Sequence, residues 1–504
     1  MMTVEMKPLP AELMRAFDLV GCASTNNWQP VARGAVAKWA SPILEGIIMK
    51  VDLHLDITDD SGLCQSISVG TTDIAAAPSI ATLGLSLADG KAFLSQLQTQ
   101  VVSAQIAAIN AQHRLCPVCQ SQRSIKDYHQ VNFRSLFGQV CARVPRFNPP
   151  SCQCPSEVEV PHKRQRWISA ELEFVQSQLA ATLPYTRSAQ ILGLLLPVAA
   201  GNAVSTVREH LLAIGRRVET LGLQSSPTQP CPPDTLNMTS VGLDSGYVRH
   251  CAPAGKQDFE VVAGRALRAD LGQRSIAFVR TIDDHANQRI KALLAPFSTT
   301  ADNMEVFTDG DNQLRQWQQS TLPGSKHILD WYHLRQRVSK LNRVVHSKEA
   351  ARQLKHADHD RLSELVDTIQ WRLWHGRSCQ AIRKLEIMQL VLGRPHVVDK
   401  EAVKLIRRLT KELLGFLNYN RDSLPNYGQR YRAGKRISSA FIESAVNQLI
   451  DKRMSKSQQM RWDPRSAHLL LQVRVRVVDG MLRDDFSRWY AHFPSNTATF
   501  AQMA

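Results

Sequence analysis

The sequence predicts a multidomain α/β protein with large α-helical parts. Three strand-like segments follow one another between residues 239 and 282, with turn residues between them. Helical and strand-like segments then alternate as far as residue 346, and a long helical stretch occupies residues 347–436. Strands in series followed by alternating helices and strands are typical of a mixed sheet with helices on its faces.

Composition limits the classes of partner. The chain has 504 residues, enough for about three domains. Its formal charge of +16, from 61 basic and 45 acidic residues, favours a polyanionic partner such as DNA. The longest apolar run, residues 191–200, is too short to span a membrane and contains Pro197. No signal peptide is recognisable, so we expect a cytoplasmic protein with reduced cysteines and no membrane partner.

The N-terminal part of the chain divides into two predicted regions. The sequence predicts no role for residues 1–90. In residues 91–160, apolar residues recur at three- and four-residue intervals from Phe93 to Ile109, which predicts an amphipathic lead-in helix ending near Arg114. Two strand-like runs joined around Gly138 follow, and they predict a hairpin.

Two close pairs of cysteines flank this hairpin. A C-x-x-C pair before it and a C-x-C pair after it suit a tetrahedral zinc ion held by four thiolates, and the predicted ligands are Cys116, Cys119, Cys152 and Cys154. Zinc here would be structural, because a closed site stabilises a domain with little core. The alternative is four unrelated thiols. Cys141 lies in the middle of a strand and is predicted to be a small buried residue.

Residues 161–224 are predicted to be helical. A helix, a turn containing Gly201 and Asn202, and a second helix with basic residues are compatible with a helix-turn-helix that binds DNA through Arg208 and Arg216. A helical hairpin without a DNA partner has the same pattern, so this alternative stays open. The Pro- and Ser-rich residues 225–235 are predicted to be a linker that ends the N-terminal half.

The C-terminal half contains the predicted sheet domain. Residues 236–346 supply its first part, residues 347–436 are a helical insertion, and residues 437–504 supply its last part and a tail. The order of strands and helices is that of a ribonuclease H-like core, in which the first and fourth strands lie side by side. Asp244 and Asp309 would then meet at one edge, where carboxylates can hold a pair of Mg²⁺ ions. Taken singly, each aspartate is better explained as a turn or cap residue.

A third acidic residue, Glu443, lies in a helical pattern beyond the insertion. Asn447 follows four residues later and shares its helix face, which makes it a candidate accessory residue. Together with the two aspartates, Glu443 completes an ordered acidic set that favours catalysis over capping. Basic residues flank the same helix, and those predicted to contact DNA phosphates are Lys452, Arg453 and Arg461.

Two further choices concern acidic residues next to strand ends. Asp309 is preferred over Asp311 as the second acidic ligand, because Asp311 directly precedes a helix and is predicted to be its N-cap. Asp330 and His333 follow the fifth strand. Either they are a helix cap and a residue one turn later, or they lie beside the metal site and steer DNA. The sequence favours neither reading of this pair.

The order of these motifs resembles that of bacterial DDE transposases of the ISKra insertion-sequence family. The resemblance covers about residues 90–480 and includes CPVC, CQC, LDSGYVR, FTDGDNQL, ILDWYHL and ESAVNQLIDKRMSKSQQMRWDPRSAHLLLQVRVRV, of which the last block is the most specific. It implies a ribonuclease H-like fold with a helical insertion and catalysis that depends on Mg²⁺ or Mn²⁺. It also implies an acidic triad and a D-x-x-H motif, which fall on Asp244, Asp309 and Glu443, and on Asp330 and His333.

The resemblance implies a reaction and its partners as well. The enzyme would cleave DNA strands at the terminal inverted repeats of its element and join the freed 3′-OH to target DNA by two-metal phosphoryl transfer. Its partner is double-stranded DNA, and a homodimer or larger assembly on DNA is expected because two ends must be joined. Two alternatives remain, namely a DNA-binding regulator or domesticated transposase without strand transfer, and a metal-dependent structure-selective nuclease.

Overall fold

The structure is a computed structural model that describes residues 49–58, 64–74, 80, 83–116, 119–148, 166–198, 202–224, 238–251, 258–297, 301–455 and 461–494. The predicted mixed α/β class is confirmed, since helices predominate in these residues and the largest sheet has five strands of mixed direction. The chain forms two compact units. The first comprises Met1–Leu172 and Ala189–Ala203, and the second Glu173–Ser188 and Val204–Ala504.

The first unit contains two antiparallel hairpins and a long helix. Strands β1 (Met49–Thr58) and β2 (Cys64–Ile74) pair with each other, and β3 (Ile125–Ser135) pairs with β4 (Gly138–Phe147). Helix α1 (Leu87–His113) begins at a capping box made by Ser86 and Asp89, and it packs against β2 and β4. The predicted lead-in helix and the hairpin around Gly138 are therefore confirmed. Gly138 has a φ of +122°, which favours glycine in this tight turn.

The cysteines of this unit lie partly within the described residues. Cys116 is buried and Cys119 is exposed at the C-terminal side of α1. Cys152 and Cys154 lie outside the described residues, so the zinc ligand set stays a prediction. Cys141 was predicted to be buried, and this is wrong: it is exposed, and its thiol donates to Oδ1 of Asn132 on the paired strand at 3.0 Å.

Along the chain, three helices follow the hairpins and precede the large sheet. They are α2 (Ala170–Thr182), α3 (Tyr185–Leu195) and α4 (Val204–Gln224), in the region where the sequence predicts helices.

The five-stranded sheet belongs to the second unit. Its strands are β5 (Thr239–Val248), β6 (Phe259–Arg268), β7 (Gly272–Val279), β8 (Met304–Thr308) and β9 (Lys326–Leu329), and their spatial order is β7-β6-β5-β8-β9. Strands β5, β6 and β7 form an antiparallel meander, whereas β8 and β9 run parallel to β5. The predicted adjacency of the first and fourth strands is confirmed.

One face of this sheet is covered by helices α5 (Ala286–Leu294) and α6 (Asn312–Thr321). Val241 and Leu243 of β5 lie in the apolar core beneath these helices, together with Ile290 of α5 and Leu314 of α6. Because side chains alternate along a strand, the residues between and after Val241 and Leu243 face the opposite side of the sheet.

The helical insertion follows β9 and has an apolar core of its own. Helix α7 (Trp331–Val345) precedes it, and the helices of the insertion are α8 (Lys348–Gln353), α9 (His356–Asp367), α10 (Ile369–Trp374), α11 (Ser378–Leu392), α12 (Glu401–Tyr419) and α13 (Tyr427–Arg432). Two buried contacts attach the end of the insertion to the sheet. Arg430 forms a two-pronged ion pair with Glu305 of β8 at 2.6 and 2.8 Å, and the Tyr427 hydroxyl donates to the carbonyl of Leu329 at 2.8 Å.

The last part of the chain covers the second face of the sheet. Helix α14 (Ala440–Val446) continues directly into a π-helix (Asn447–Ser455), and both pack against β5. Helices α15 (Pro464–Val478) and α16 (Leu482–Trp489) follow, and α15 packs against β7 and α4. The approach of α4 to α15 requires a glycine, because a Cβ on Gly215 would lie 2.5 Å from the carbonyl oxygen of Leu469. In the described part of the chain, no helix has the length and apolarity needed to cross a membrane.

Candidate active site

Two of the predicted acidic residues lie on neighbouring parallel strands: Asp244 is within β5, which continues to Val248, and Asp309 directly follows β8. The last paired residues of the parallel strands β5 and β8 are Gly242 and Phe307. Asp244 and Asp309 each lie two residues beyond this pair. The parallel pairing thus places both residues at the same level along the sheet, where β8 ends. The charge of Asp309 raises the pKa of Asp244, which shows that the two groups interact electrostatically.

The third acidic residue reaches this edge because two glycines let its helix lie close to β5. Gly242 and Gly246 are on the same face of the strand as Asp244. A Cβ on Gly242 would lie 2.7 Å from Cβ of Ile442 in α14, and one on Gly246 would lie 3.5 Å from Ile450 in the π-helix. The alternation Gly-x-Asp-x-Gly was visible in the sequence, but only the packing reveals that it seats the helix carrying Glu443.

Buried arginines hold this helical segment against the rest of the unit. Arg265 of β6 donates to the carbonyl of Phe441 at 3.4 Å and to the Gln448 side chain at 3.1 Å. Arg474 of α15 donates to the carbonyl of Leu449 at 2.8 Å and also to that of Gln448. These bonds satisfy backbone groups around the change from α- to π-helix, which occurs at Asn447, four residues after Glu443.

The carboxyl of Asp244 is largely removed from solvent. Burial raises the pKa of its carboxyl to about 6, and the negative charges of Asp309 and Glu443 act in the same direction. A hydrogen bond of 2.8 Å from the backbone N–H of Ser245 and the charge of His333 act against this rise. The site therefore carries more negative charge than its own groups neutralise, which is the environment that a divalent cation relieves.

The raised pKa of Asp244 predicts how stability depends on pH in cation-free buffer. Folding favours the protonated carboxyl, so stability falls as the pH rises from about 4, where the unfolded chain titrates, to about 6. Asp244→Asn removes this effect and should raise the free energy of unfolding at pH 7 by about 1–2 kcal/mol, since partial solvent contact reduces the full shift.

Denaturant unfolding of both proteins between pH 4 and pH 7 checks this prediction. The difference should shrink toward zero as the pH falls to 4, where the Asp244 carboxyl is protonated in the folded protein and about half protonated in the unfolded chain. An equal difference at every pH would mean that the charge of Asp244 is not what destabilises the folded state.

Asp309 and Asp311 have different roles, as the sequence predicts for Asp311. The Asp311 side chain accepts from the backbone N–H groups of Gln313 and Leu314 at 2.8 and 3.2 Å and caps α6. Asp309 is partly exposed, and its Oδ1 accepts from the N–H of Asp311 at 2.9 Å.

Gly310 lies between these two aspartates and is packed closely against a helix of the insertion. Its φ of +91° favours glycine, and a Cβ there would lie 2.6 Å from the ring of Phe416 in α12. The guanidinium of Arg337 in α7 lies over the same Phe416 ring, 4.3 Å from its centre. The insertion therefore supports the loop that holds Asp309.

Asp330 caps α7 and also joins the two halves of the site. Its side chain is fully buried and accepts from the N–H of Tyr332 at 2.8 Å, from Nδ1 of His333 at 2.7 Å and from the hydroxyl of Ser439 at 2.5 Å. Burial opposes ionisation, but these hydrogen bonds outweigh it and lower the pKa of Asp330. Both predictions for Asp330 and His333 thus describe part of the arrangement: they lie at a helix start and next to the acidic residues.

His333 lies between Asp330 and Glu443. Its Nε2 is 4.0 Å from Oε1 of Glu443, and the side chains of His333 and Glu443 are 29% and 39% exposed. The hydrogen bond to Asp330 raises the pKa of His333, and the charges of Asp330, Asp244 and Asp309 add to this against the opposing effect of burial. The structure therefore brings the side chains of Asp330, His333 and Glu443 together, and the charges of Asp244 and Asp309 act on His333 as well.

Ser439 is a site residue that the sequence did not predict. This residue precedes α14 at its N-cap position, but its hydroxyl bonds to Asp330 and not to its own helix. Its backbone carbonyl accepts from the N–H of Glu443 at 3.0 Å. Ser439 thus links the helix of Glu443 directly to the start of α7. A serine before a helix predicts a cap, so no local signal distinguishes this role.

The predicted DNA-binding residues near α14 are not all at the surface. Lys452 and Arg461 are exposed, and Asn447 is half-buried at the start of the π-helix. Arg453 is only 4% exposed. Its guanidinium lies 5.0 Å from the ring centres of both Tyr185 and Trp462, so in this structure it packs inside the unit and does not face DNA.

The two basic residues predicted on the helix-turn-helix both lie on the solvent side of α4. Arg208 and Arg216 are exposed, and Arg208 donates to the hydroxyl of Ser466 at 2.9 Å. The opposite face of α4, which includes Leu211 and Val218, is buried. A helix packed in this way can offer only its exposed side to a partner.

No family model matches the chain, and no curated protein matches it.

Proposed function

We propose that this protein is a DDE transposase whose second unit contains a ribonuclease H-like catalytic core. The observation that carries the proposal is the placement of Asp244 in β5, of Asp309 directly after the adjacent parallel strand β8, and of Glu443 in α14, which packs against β5 and β6. Glu443 is separated from Asp309 by the whole helical insertion. A strand order of β7-β6-β5-β8-β9 with an antiparallel meander supports the proposed core.

The donor set fits two divalent cations of the Mg²⁺ or Mn²⁺ type. Carboxylate oxygens are the ligands that these hard cations prefer. Asp309 and Glu443 are accessible, and Asp244 is held partly desolvated beside them. Cations bound here would lower the pKa of an attacking water and stabilise the leaving 3′-oxygen.

The protein's own residues supply positioning and electrostatics. Asp244 and Asp309 are fixed by strand pairing, and each accepts a backbone hydrogen bond that sets its orientation. Glu443 is fixed through Ser439 and the packing of Ile442 on Gly242. Preorganised carboxylates need little rearrangement when phosphodiester DNA arrives, which favours in-line displacement at phosphorus.

The charge of the chain supports DNA as the partner. Net charge is +16, and the exposed basic residues that we propose as phosphate contacts are Arg208, Arg216, Lys452 and Arg461. Two DNA ends must be joined in one reaction, so we propose that the protein acts as a dimer or larger assembly on DNA.

A strand-transfer assay tests the proposed function. The protein is incubated with Mg²⁺ or Mn²⁺, labelled duplexes carrying the terminal repeats of its element, and a supercoiled target plasmid. Label covalently joined to plasmid is the expected result. Cleaved ends without joined product would instead support a structure-selective nuclease. Bound but uncut ends in both metals would support a DNA-binding regulator. Either of these two results would contradict the proposal that the protein is a transposase.

Zinc in the first unit is a separate part of the proposal. We expect about one zinc ion per chain, held by Cys116, Cys119, Cys152 and Cys154. Cys116→Ser should release the zinc and lower the melting temperature of the protein, whereas Cys141→Ser should change neither, because Cys141 is exposed on its strand. Metal analysis by mass spectrometry and a thermal scan measure both effects. A folded wild-type protein without zinc would contradict the predicted zinc site.

A further inference from the structure

His333 presents one ring nitrogen toward the acidic site while the other is occupied. Its Nδ1 lies 2.7 Å from Oδ2 of Asp330, and its Nε2 faces Oε1 of Glu443 at 4.0 Å. Ligand atoms of Asp330, His333 and Glu443 all lie within 4.8 Å of one another, which is close enough for a shared metal ion. Which of these three residues could be a ligand depends on their hydrogen bonds.

Asp330 is not a suitable ligand. It is fully buried, and its two oxygens already accept from the N–H of Tyr332, from His333 and from Ser439. A cation could reach Asp330 only by displacing hydrogen bonds that also fix the start of α7 and the start of α14. Asp330 is instead placed to orient the imidazole of His333.

An aspartate bonded to one nitrogen of a histidine is a common arrangement behind metal ligands. The carboxylate fixes the ring orientation and the tautomer, and it makes the opposite nitrogen a better donor. Here that opposite nitrogen is Nε2, which lies 4.0 Å from Oε1 of Glu443.

We propose that Nε2 of His333 is a ligand of the divalent cation that Glu443 holds, with Asp330 and Ser439 as positioning residues. The inference rests on the proposed function, since it assumes a cation at the carboxylates. It adds a nitrogen donor to an otherwise all-oxygen site.

A nitrogen donor has a consequence for metal preference. Imidazole is a better ligand for transition metals than for Mg²⁺, which favours oxygen donors and water. The site should therefore bind Mn²⁺ more tightly than Mg²⁺, and His333 should contribute to that difference. Replacing His333 by Ala should weaken Mn²⁺ binding by about tenfold or more and Mg²⁺ binding by less.

Pulsed electron paramagnetic resonance of bound Mn²⁺ tests the proposal on the full-length protein without any reaction. Wild-type protein should show coupling of Mn²⁺ to a ¹⁴N nucleus, and the coupling should change to that of ¹⁵N when histidine alone is labelled with ¹⁵N. This comparison needs no substitution and so does not depend on the folding of a variant. H333A should lose the coupling, whereas H356A, which removes an exposed histidine of the insertion, should keep it.

The outcomes separate this inference from the proposed function. If Mn²⁺ binds with an affinity that D244N lowers, but without histidine coupling and unchanged in H333A, then the carboxylates hold the cation and His333 acts only as a charged neighbour. That result overturns the inference alone. If wild-type protein binds no Mn²⁺ at the carboxylates, then D244N has no effect and the proposed catalytic site fails with it.

Discussion

Asp309→Asn should reduce strand cleavage at transposon ends by at least about a thousandfold while DNA binding stays within about twofold of wild type. The amide is close in size to the carboxylate but lacks its charge, so it holds a divalent cation poorly. Asp244→Asn and Glu443→Gln should behave in the same way. Cleavage of labelled ends in Mg²⁺, together with a gel-shift titration of the same ends, measures both quantities.

Asp311→Asn is the matched control for this experiment. Asp311 lies two residues from Asp309 but caps α6, and asparagine is as good an N-cap as aspartate. We therefore expect D311N to retain nearly full cleavage and stability. If D311N were inactive and D309N active, the assignment of the second carboxylate would be reversed. Full cleavage by any of the three acidic variants would remove that residue from the site.

Arg430→Met should destabilise the second unit by about 3–5 kcal/mol. Arg430 and Glu305 are 8% and 6% exposed and meet through two parallel hydrogen bonds at the start of β8. Removing the guanidinium leaves the charge of Glu305 buried without its partner, which costs far more than the pair contributes. Urea unfolding followed by the fluorescence of the nearby tryptophans gives the change in free energy.

The double variant Glu305→Leu with Arg430→Met should recover most of this loss. Two apolar side chains of similar volume often replace a buried ion pair at little cost. Arg361→Met serves as the control, because Arg361 pairs with Glu364 on an exposed helix face and should contribute less than about 1 kcal/mol. A loss in R430M no larger than that in R361M would show that the buried pair does not fix the insertion to the sheet.

The adjacency of β5 and β8 could be predicted because strand order follows from the order of elements along the chain. A meander, then a helix and a strand, leaves few ways to extend the sheet. The same reasoning predicted that Asp244 and Asp309 lie on adjacent parallel strands. Local patterning identified Asp311 as a helix cap. These features depend on residues close in sequence or on regular pairing, so local patterns carry enough information.

Other features could not be predicted in this way. Arg453 lies among basic residues in the sequence, but it is buried between Tyr185 and Trp462, which come from distant segments. Cys141 faces solvent although its strand was identified, because the sequence does not specify which face of a short two-stranded hairpin is covered. In both cases the burial of a side chain depends on long-range packing.

The sequence by itself determined the mixed α/β class, the lead-in helix, the hairpin around Gly138 and which acidic segments could form a site. Only the tertiary structure decided how Glu443 reaches Asp244 across the insertion. Gly242 and Gly246 permit close packing of the helix, and Ser439 bonds to Asp330 from a segment more than one hundred residues away. Such contacts join residues with no local relation, so they exist only once the chain has folded and buried them together.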